Sequence, residues 1–383
     1  MFTLRQYLTS LDDPRGLLRT LREVEICRDA LGRMCYWAGN SAVVFRIRHA
    51  GCEASLRCYF RPMRHLAEIY GSRLLPQELY LYTSPTSGIW VDVVIGAWIE
   101  GITLHQAITQ AALARNTEQL AALSARFDSL AAELTADAWA HGDLKPENIL
   151  VEPSGALRLI DFDAQFLPAF AGETSPELGT AAYQHPARTA ADFDASLDDY
   201  PAALIATALH ALTLDPTLYD RYRAADGLLF TPTQINTDAA LREVFALFEG
   251  RGLAVYYRIA ELLLSSTLRL FGLSARLSQA AQPTSTRGDE VPELFVENGL
   301  WGYRTPQRIV VPPLYDCGFD FSDGLAAVQL HTVWHFIDTT GRTVISCPDC
   351  QAVKPFDNGR AQIIRNGRRV AIDHTGCEID SQK

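Results

Sequence analysis

The first hundred residues alternate hydrophobic and polar positions over short runs, which is the pattern of half-buried β-strands. His49-Ala50-Gly51 separates the first two runs and predicts a hairpin turn. Helical spacing of leucines before residue 33, broken by Asp12-Asp13-Pro14, predicts two short helices, and residues 63–70 predict a third. The four predicted strands are residues 42–48, 54–60, 78–83 and 89–95.

Helical periodicity replaces this pattern beyond residue 104. Residues 118–136 are rich in Ala and Leu, and residues 200–214 and 253–271 are apolar nearly all round, as buried helices are. Residues 278–293 are small, polar and proline-bearing, so they predict a linker. The chain therefore predicts an α+β fold in which a small sheet region precedes a larger helical region.

The residues after 293 form an internal β-rich repeat with glycine turns. Phe321-Ser322-Asp323-Gly324 is echoed by Phe356-Asp357-Asn358-Gly359, and Thr340-Gly341-Arg342 is echoed by Thr375-Gly376-Cys377, a spacing of about 35 residues. We expect a separate all-β module of two to three units.

Composition narrows the classes of function. The chain has 383 residues and 48% hydrophobic residues, which suits folded domains rather than a disordered chain. Its formal net charge of −11 disfavours nucleic acid and anionic membranes as partners, because both need surplus Lys and Arg. We expect a cytoplasmic protein, because no signal peptide and no apolar run of about 18 residues is visible. Lys145, Lys354 and Lys383 are the only lysines in the sequence.

One group of polar residues contains the side chains that a catalytic site needs. His141-Gly142-Asp143-Leu144-Lys145-Pro146-Glu147-Asn148 precedes two short apolar runs, which end at Asp161-Phe162-Asp163. Phosphoryl transfer needs a carboxylate to orient the acceptor hydroxyl, a cation beside the moving phosphate and oxygen ligands for Mg²⁺. Asp143 suits the first role, Lys145 the second, and Asn148 with Asp161 the third.

This segment resembles the catalytic and metal-binding loops of the eukaryotic-type protein kinase family. The resemblance implies a bilobal kinase-like domain over residues 1–277 that binds ATP and Mg²⁺, with an N-lobe over about 35–98 and a C-lobe over about 99–277. It places a small gatekeeper at Gly96 and adenine-binding hinge backbone at Ala97 to Ile99. It also implies that the Asp of Asp199-Tyr200, at the start of a central helix, steadies the catalytic loop.

The sequence departs from the kinase pattern at the residues that meet phosphate. No lysine precedes Lys145, so the alignable residue on the third strand is Arg57, with Glu68 as its expected partner and Glu78 as the alternative. Gly39 is the one glycine left in the phosphate-covering loop, where an ordinary hairpin turn is an equally good interpretation.

Two further departures concern the loops themselves. Asp163 stands where glycine is usual, either as a second metal contact or, as we favour, as a turn residue. Gly142 replaces the arginine that pairs with a phosphorylated activation segment, which predicts activity independent of such phosphorylation.

The C-terminal segments Gly299-Leu300-Trp301-Gly302-Tyr303 and Phe321-Ser322-Asp323-Gly324 resemble the bacterial repeat family named for its Trp-Gly dipeptide, the WG repeats. The resemblance assigns residues 294–383 to a WG-repeat module, which docks a protein partner or only stabilises the kinase domain. Cys347 and Cys350 could hold Zn²⁺ with Cys317 or Cys377, but a lone Cys-x-x-Cys favours free thiols.

The sequence thus predicts a bacterial kinase that transfers the γ-phosphate of ATP to a hydroxyl, with protein Ser/Thr favoured over small-molecule acceptors. The WG repeats would serve as its docking or regulatory module. The alternative is a pseudokinase scaffold that binds partners, with or without nucleotide, and transfers no phosphate.

Overall fold

The computed structural model describes residues 1–224, 227–281, 291–306 and 308–379. It is a mixed α/β structure with 31% helix and 30% strand. The helices are α1 (Leu4–Asp12), α2 (Leu66–Tyr70), α3 (Leu104–Leu113), α4 (Thr117–Leu134), α5 (Asp199–Leu214), α6 (Leu218–Tyr222), α7 (Ala239–Gly250), α8 (Ala254–Glu261) and α9 (Leu273–Ala281).

The strands fall into five antiparallel sheets. The first ten are β1 (Glu25–Ile26), β2 (Tyr36–Ala38), β3 (Ala42–His49), β4 (Cys52–Tyr59), β5 (Leu74–Ser84), β6 (Ser87–Ala97), β7 (Ile102–Thr103), β8 (Ile149–Val151), β9 (Leu157–Leu159) and β10 (Glu293–Glu297). The others are β11 (Leu300–Arg304), β12 (Ile309–Tyr315), β13 (Cys317–Gly318), β14 (Leu325–Leu330), β15 (Val333–Asp338), β16 (Thr343–Cys347), β17 (Cys350–Val353), β18 (Ala361–Arg365), β19 (Arg368–Ile372) and β20 (Glu378–Ile379).

The N-terminal sheet has the strand order β1-β3-β4-β6-β5, with β2 on β3. The predicted hairpin is confirmed, with Ala42 paired to Tyr59 and His49 paired to Cys52. Alternate side chains of β3 and β4 are buried beneath α1, whose Tyr7 hydroxyl donates to the carbonyl of Tyr59 at 2.5 Å. This packing fixes the position of β4, whose Arg57 and Tyr59 side chains bond to Asp163 of the helical region.

The second helix expected before residue 33 is wrong. Leu18 instead forms a bridge with Leu79 of β5, and the buried Glu78 carboxylate accepts from the amides of Thr20 and Leu21 at 2.8 and 2.7 Å. A buried carboxylate must keep its donors, so this segment follows the sheet edge rather than coiling into a helix.

The helical region surrounds α5, whose residues are buried on every side from Asp199 to Leu212. The single helix expected over residues 253–271 is wrong, because α8 ends at Glu261 and α9 begins only at Leu273. Ser265 and Thr267 bond to each other at 3.0 Å in the break, and such local side-chain bonds compete with helix formation.

The C-terminal region is all β, in three sheets of successive strands: β10–β12, β13–β16 and β17–β20. The internal repeat has a structural counterpart, since Asp338 and Asp373 both accept from the threonine two residues later, at 2.6 Å from each hydroxyl. Of the expected linker, residues 278–281 belong to α9, residues 282–290 lie outside the described residues, and β10 begins at Glu293.

The first C-terminal sheets pack directly on α7 and α8. The buried Arg258 side chain donates to the carbonyl of Leu314 at 2.8 Å and to Asp316 at 2.9 Å. Glu249 accepts from the amide and hydroxyl of Thr332 at 2.9 and 2.6 Å. Among the helices of the described residues, none is long and apolar enough to cross a membrane.

Candidate functional site

A buried aspartate, Asp198, holds the backbone of the loop at residues 141–148. Asp198, which precedes α5, accepts from the amide of His141 and from the amide of Gly142, the latter at 3.0 Å. Burial raises the pKa of Asp198, although these two amides act in the opposite direction. The expectation that Asp199 steadies the loop is therefore wrong by one residue, because Asp199 instead accepts from the amide of Leu270 at 2.7 Å.

Gly142 has a steric reason to be glycine. Its φ is +81°, and an added Cβ would lie 2.1 Å from the carbonyl oxygen of Ala164. No other residue fits this backbone position without moving the loop against its neighbour. The arginine expected here in a phosphorylation-dependent kinase is excluded by the backbone itself.

Asp143, Lys145 and Asn148 form one hydrogen-bonded cluster. The Lys145 ammonium lies 3.0 Å from Asp143 Oδ2 and donates to Thr180 Oγ1 at 2.7 Å. Asn148 Nδ2 donates to the Asp143 carbonyl at 2.9 Å and to its carboxylate at 3.1 Å. The amide of Thr180 donates to Asp143 Oδ1 at 2.6 Å, so three groups (Lys145, Asn148 and Thr180) fix the orientation of this carboxylate.

A short hairpin places Asn148 beside Asp161. Strands β8 and β9 pair Ile149 with Leu159, and the amide of Ile160 donates to the carbonyl of Asn148 at 2.9 Å. Asn148 precedes the first strand and Asp161 follows the second, so both lie at the same end of the hairpin. The backbone of Asp161 is left-handed, with φ of +68°.

Arg57 reaches this end of the hairpin from β4. Its Nη2 donates to Asp161 Oδ1 at 2.5 Å and also to Asp163 Oδ2. Burial alone would favour the neutral form, but the two carboxylates outweigh it and raise the pKa of Arg57 well above its usual value. The guanidinium therefore stays charged although its side chain is only 13% exposed.

The expected partners of Arg57 are both wrong. Glu68 is exposed on α2, and the buried Glu78 of edge strand β5 accepts from the amides of Thr20 and Leu21. Arg57 is instead paired with the two aspartates of the Asp161-Phe162-Asp163 segment.

Asp163 is neither a simple turn residue nor free for a metal. Its side chain is 3% exposed, and its Oδ1 accepts from the hydroxyls of Tyr59 and Tyr70 at 3.0 and 2.7 Å. Burial raises the pKa of both tyrosines, so they remain donors at neutral pH. Sequence reasoning missed these tyrosines. The signal available was Tyr59, two residues beyond Arg57 and hence on the same face of the strand.

The residues expected to bind nucleotide lie in the turn between β2 and β3 and at the C-terminal end of β6. Gly39 is exposed in the turn between β2 and β3, and its amide donates to the carbonyl of Ala42 at 2.9 Å. That bond supports the hairpin-turn interpretation, because the amide is already used. Gly96 pairs with Ser55, whose Oγ would lie 3.1 Å from an added Cβ.

Ala97 ends β6 in register with Ala54, and the amide of Trp98 donates to the carbonyl of Glu53 at 3.4 Å. Ile99 follows at a half-buried position. The expected hinge backbone thus begins where strand pairing stops. Its role in holding adenine stays a prediction.

Residues 171–197 pack against the cluster formed by Asp143, Lys145 and Asn148. Arg188 donates to the carbonyl of Gly142 at 2.9 Å, while Arg61 pairs with Glu177 at 2.8 Å and His65 contacts Glu173 at 2.9 Å. Thr180 from this segment bonds both Asp143 and Lys145, as described above. Residues 171–197 are therefore bonded both to the loop at residues 141–148 and to Arg61 and His65 of the sheet region.

The described residues contain no cluster of three or more His, Cys, Asp or Glu side chains that could hold a metal. Cys347 and Cys350 are buried free thiols. A Mg²⁺ site needs fewer protein ligands, because this ion keeps waters and phosphate oxygens around one or two carboxylates. Asn148 Oδ1 and Asp161 Oδ2 accept no hydrogen bond from the described residues, and these hard oxygens fit that requirement.

Comparison with known proteins identifies one part of the chain. Residues 307–334 and 334–368 match the model of the WG containing repeat family. The C-terminal region therefore carries WG repeats, as the sequence predicted. No kinase domain is detected by these comparisons, and the search of curated proteins finds no match.

Proposed function

We propose that this protein is an ATP- and Mg²⁺-dependent kinase that transfers the γ-phosphate to a hydroxyl acceptor, with protein Ser/Thr as the acceptor class. The observation that carries the proposal is the joint placement of Asp143, Lys145 and Asn148 in one cluster, with Asp161 at the same hairpin end as Asn148. The sheet region and the helical region would then be the two lobes of a kinase-like fold.

Each role follows from the chemistry of the side chain. Asp143 would accept a hydrogen bond from the acceptor hydroxyl and take up its proton as the phosphate leaves ATP. Lys145 lies 3.0 Å from that carboxylate and would neutralise charge on the transferred phosphate. Asn148 and Asp161 would hold Mg²⁺, which draws charge from the nucleotide phosphates. Arg57 would steer the α- and β-phosphates, and the backbone at Ala97 to Ile99 would hold adenine next to Gly96.

The experiment is incubation with radiolabelled ATP and Mg²⁺, followed by measurement of label in the protein itself, in a generic substrate and in lysate proteins. Asp143→Asn keeps the size of the side chain and its contact with the Thr180 amide but loses the base. We expect it to lower incorporation by about 10²-fold or more, as for loss of a general base. Asp161→Asn should do the same by weakening the metal site, whereas exposed Asp13→Asn is the matched control. Incorporation that is equal in all four proteins would refute the proposal.

A second candidate function is a scaffold that binds partners without phosphoryl transfer. The observation in its favour is that Arg57 occupies one oxygen of Asp161, the proposed metal ligand. Calorimetric titration with ATP reports nucleotide binding, and the label assay then decides between the two functions. Nucleotide binding without any incorporation of label would support the scaffold, and incorporation that depends on Asp143 would exclude it.

For the WG repeats we propose docking of the protein substrate. Val344 is 46% exposed on β16, so a partner that docks on this sheet can reach it. Val344→Asp should therefore lower label transfer to a protein substrate while self-labelling stays at the wild-type level. An equal loss of both would argue for a purely stabilising module.

A further inference from the structure

Arg57 has two acidic partners that differ in their surroundings. The Asp163 side chain is 3% exposed, whereas the Asp161 side chain is 38% exposed. Water and ligands reach Asp161 but hardly reach Asp163. The two contacts of one guanidinium nitrogen therefore differ in how easily they can be exchanged.

Asp163 receives three donors from two elements of the sheet region. Arg57 and Tyr59 come from β4, and Tyr70 comes from α2. A carboxylate that accepts from a guanidinium and two hydroxyls is held in one orientation. Through Tyr70, the position of α2 is linked to the position of Arg57 even though Glu68 on the same helix is exposed.

We propose that Asp163 is the positioning residue that anchors Arg57 in the cleft and couples it to α2 through Tyr70. Asp161 is the exchangeable partner of Arg57. When Asp161 turns toward a metal ion, Arg57 keeps a buried counter-charge in Asp163, and a buried cation without one is strongly unfavourable. The guanidinium then remains available to an anionic ligand such as the phosphates of a nucleotide. The inference rests on the proposed function only for the identity of that ligand.

The first test uses the ligand-free full-length protein, so it does not depend on nucleotide. Unfolding midpoints are measured for Arg57→Met, Asp163→Asn and the double variant. If Asp163 anchors Arg57, each single change lowers the midpoint by about 5 °C or more, and the double variant loses much less than the sum. The same cycle with Glu68→Gln in place of Asp163→Asn should be additive. Additive losses at 57 and 163, or coupling between 57 and 68, would overturn the proposal.

Tyr70→Phe provides a milder variant in case Asp163→Asn does not fold. It removes one hydroxyl from Asp163 and leaves every charge in place. We expect Tyr70→Phe and Arg57→Met to be coupled in the same kind of unfolding cycle, so that the double variant loses less than the sum. Additive losses at positions 57 and 70 would show that α2 is not part of the anchor.

The second test is calorimetric titration with ADP, with and without Mg²⁺. We expect Asp163→Asn to weaken binding about tenfold in both conditions, which is the effect of losing one well-placed charge contact. Arg57→Met and the double variant should bind equally weakly, because Asp163 acts through Arg57. A merely structural role would instead make the two losses additive. Exposed Asp13→Asn is the control.

The outcomes separate this inference from the proposed function. A wild-type protein that binds no nucleotide, together with strong coupling in the unfolding cycle, would refute the kinase and leave the anchor standing. Full nucleotide affinity in folded Asp163→Asn would refute the anchor and leave the kinase standing.

Discussion

His335 predicts that the repeat module loses stability in mild acid. This side chain is 0% exposed in β15, where burial lowers its pKa from 6.5 to about 4 despite the opposing effect of the Glu249 carboxylate. Its Nδ1 contacts Ser346 Oγ at 3.1 Å, and its Nε2 has no hydrogen-bond partner among the described residues. The folded protein therefore holds this imidazole neutral.

The sign and size of the effect follow from proton binding. Below pH 6.5 the unfolded chain binds a proton that the folded state accepts only near pH 4, so stability falls as the pH falls through this window. For these two pKa values, the contribution of His335 to the free energy of unfolding drops by about 2 kcal/mol between pH 7 and pH 5.

The assay is urea unfolding at pH 7 and pH 5 for wild type and His335→Gln, which cannot be protonated in this range. Other groups also titrate, so the measured quantity is the difference between the pH effects in the two proteins. We expect about 2 kcal/mol more acid destabilisation in wild type. Exposed His374→Gln in the same module is the control. Identical pH dependence in wild type and His335→Gln would refute the reasoning.

Three further substitutions, one of them compared with a variant of the neighbouring aspartate, test the contacts of the candidate site and of the repeats. Gly142→Ala should cost at least about 2 kcal/mol of unfolding free energy and abolish label transfer, because its Cβ meets the Ala164 carbonyl at 2.1 Å. Asp198→Asn should cost about 2 kcal/mol in urea unfolding, because its side-chain NH₂ would face one of the two backbone amides that now donate to the carboxylate. Asp199→Asn should cost less at pH 6, because burial raises the pKa of the Asp199 carboxyl to about 7. Arg258→Ala should cost about 3 kcal/mol and speed proteolysis between helices and repeats, because it strips the Leu314 carbonyl and Asp316 of their donor. Wild-type stability in any of these variants would contradict the contact it removes.

The order of sheet, helices and β-repeats could be predicted from the sequence because it depends on local periodicity. Residues 42–60 alternate over enough positions to fix a hairpin, and the spacing of Asn148 and Asp161 around two short apolar runs fixes another. In both cases neighbours in the structure are near neighbours in the chain.

Contacts between distant segments could not be predicted in the same way. Arg57 and its aspartates are more than 100 residues apart, and nothing in the local pattern says that the guanidinium pairs with them rather than with Glu68. The assignment of Asp199 to the catalytic loop failed for a related reason. Two adjacent aspartates have equal chemistry, and only the direction in which the chain enters α5 decides which one meets the loop.

The arginine at position 57 is best understood together with the aspartate at position 163. A lysine ammonium is a compact charge on a flexible stem, and one well-placed glutamate on a neighbouring helix is enough to hold it. A buried guanidinium needs a counter-charge that stays in place. Asp161 and Asp163 both accept from its Nη2, and the Tyr59 and Tyr70 hydroxyls fix Asp163. With glycine at position 163, Arg57 would keep only the exposed Asp161. Arg57 in place of lysine and Asp163 in place of glycine are therefore two departures from the kinase pattern that depend on each other.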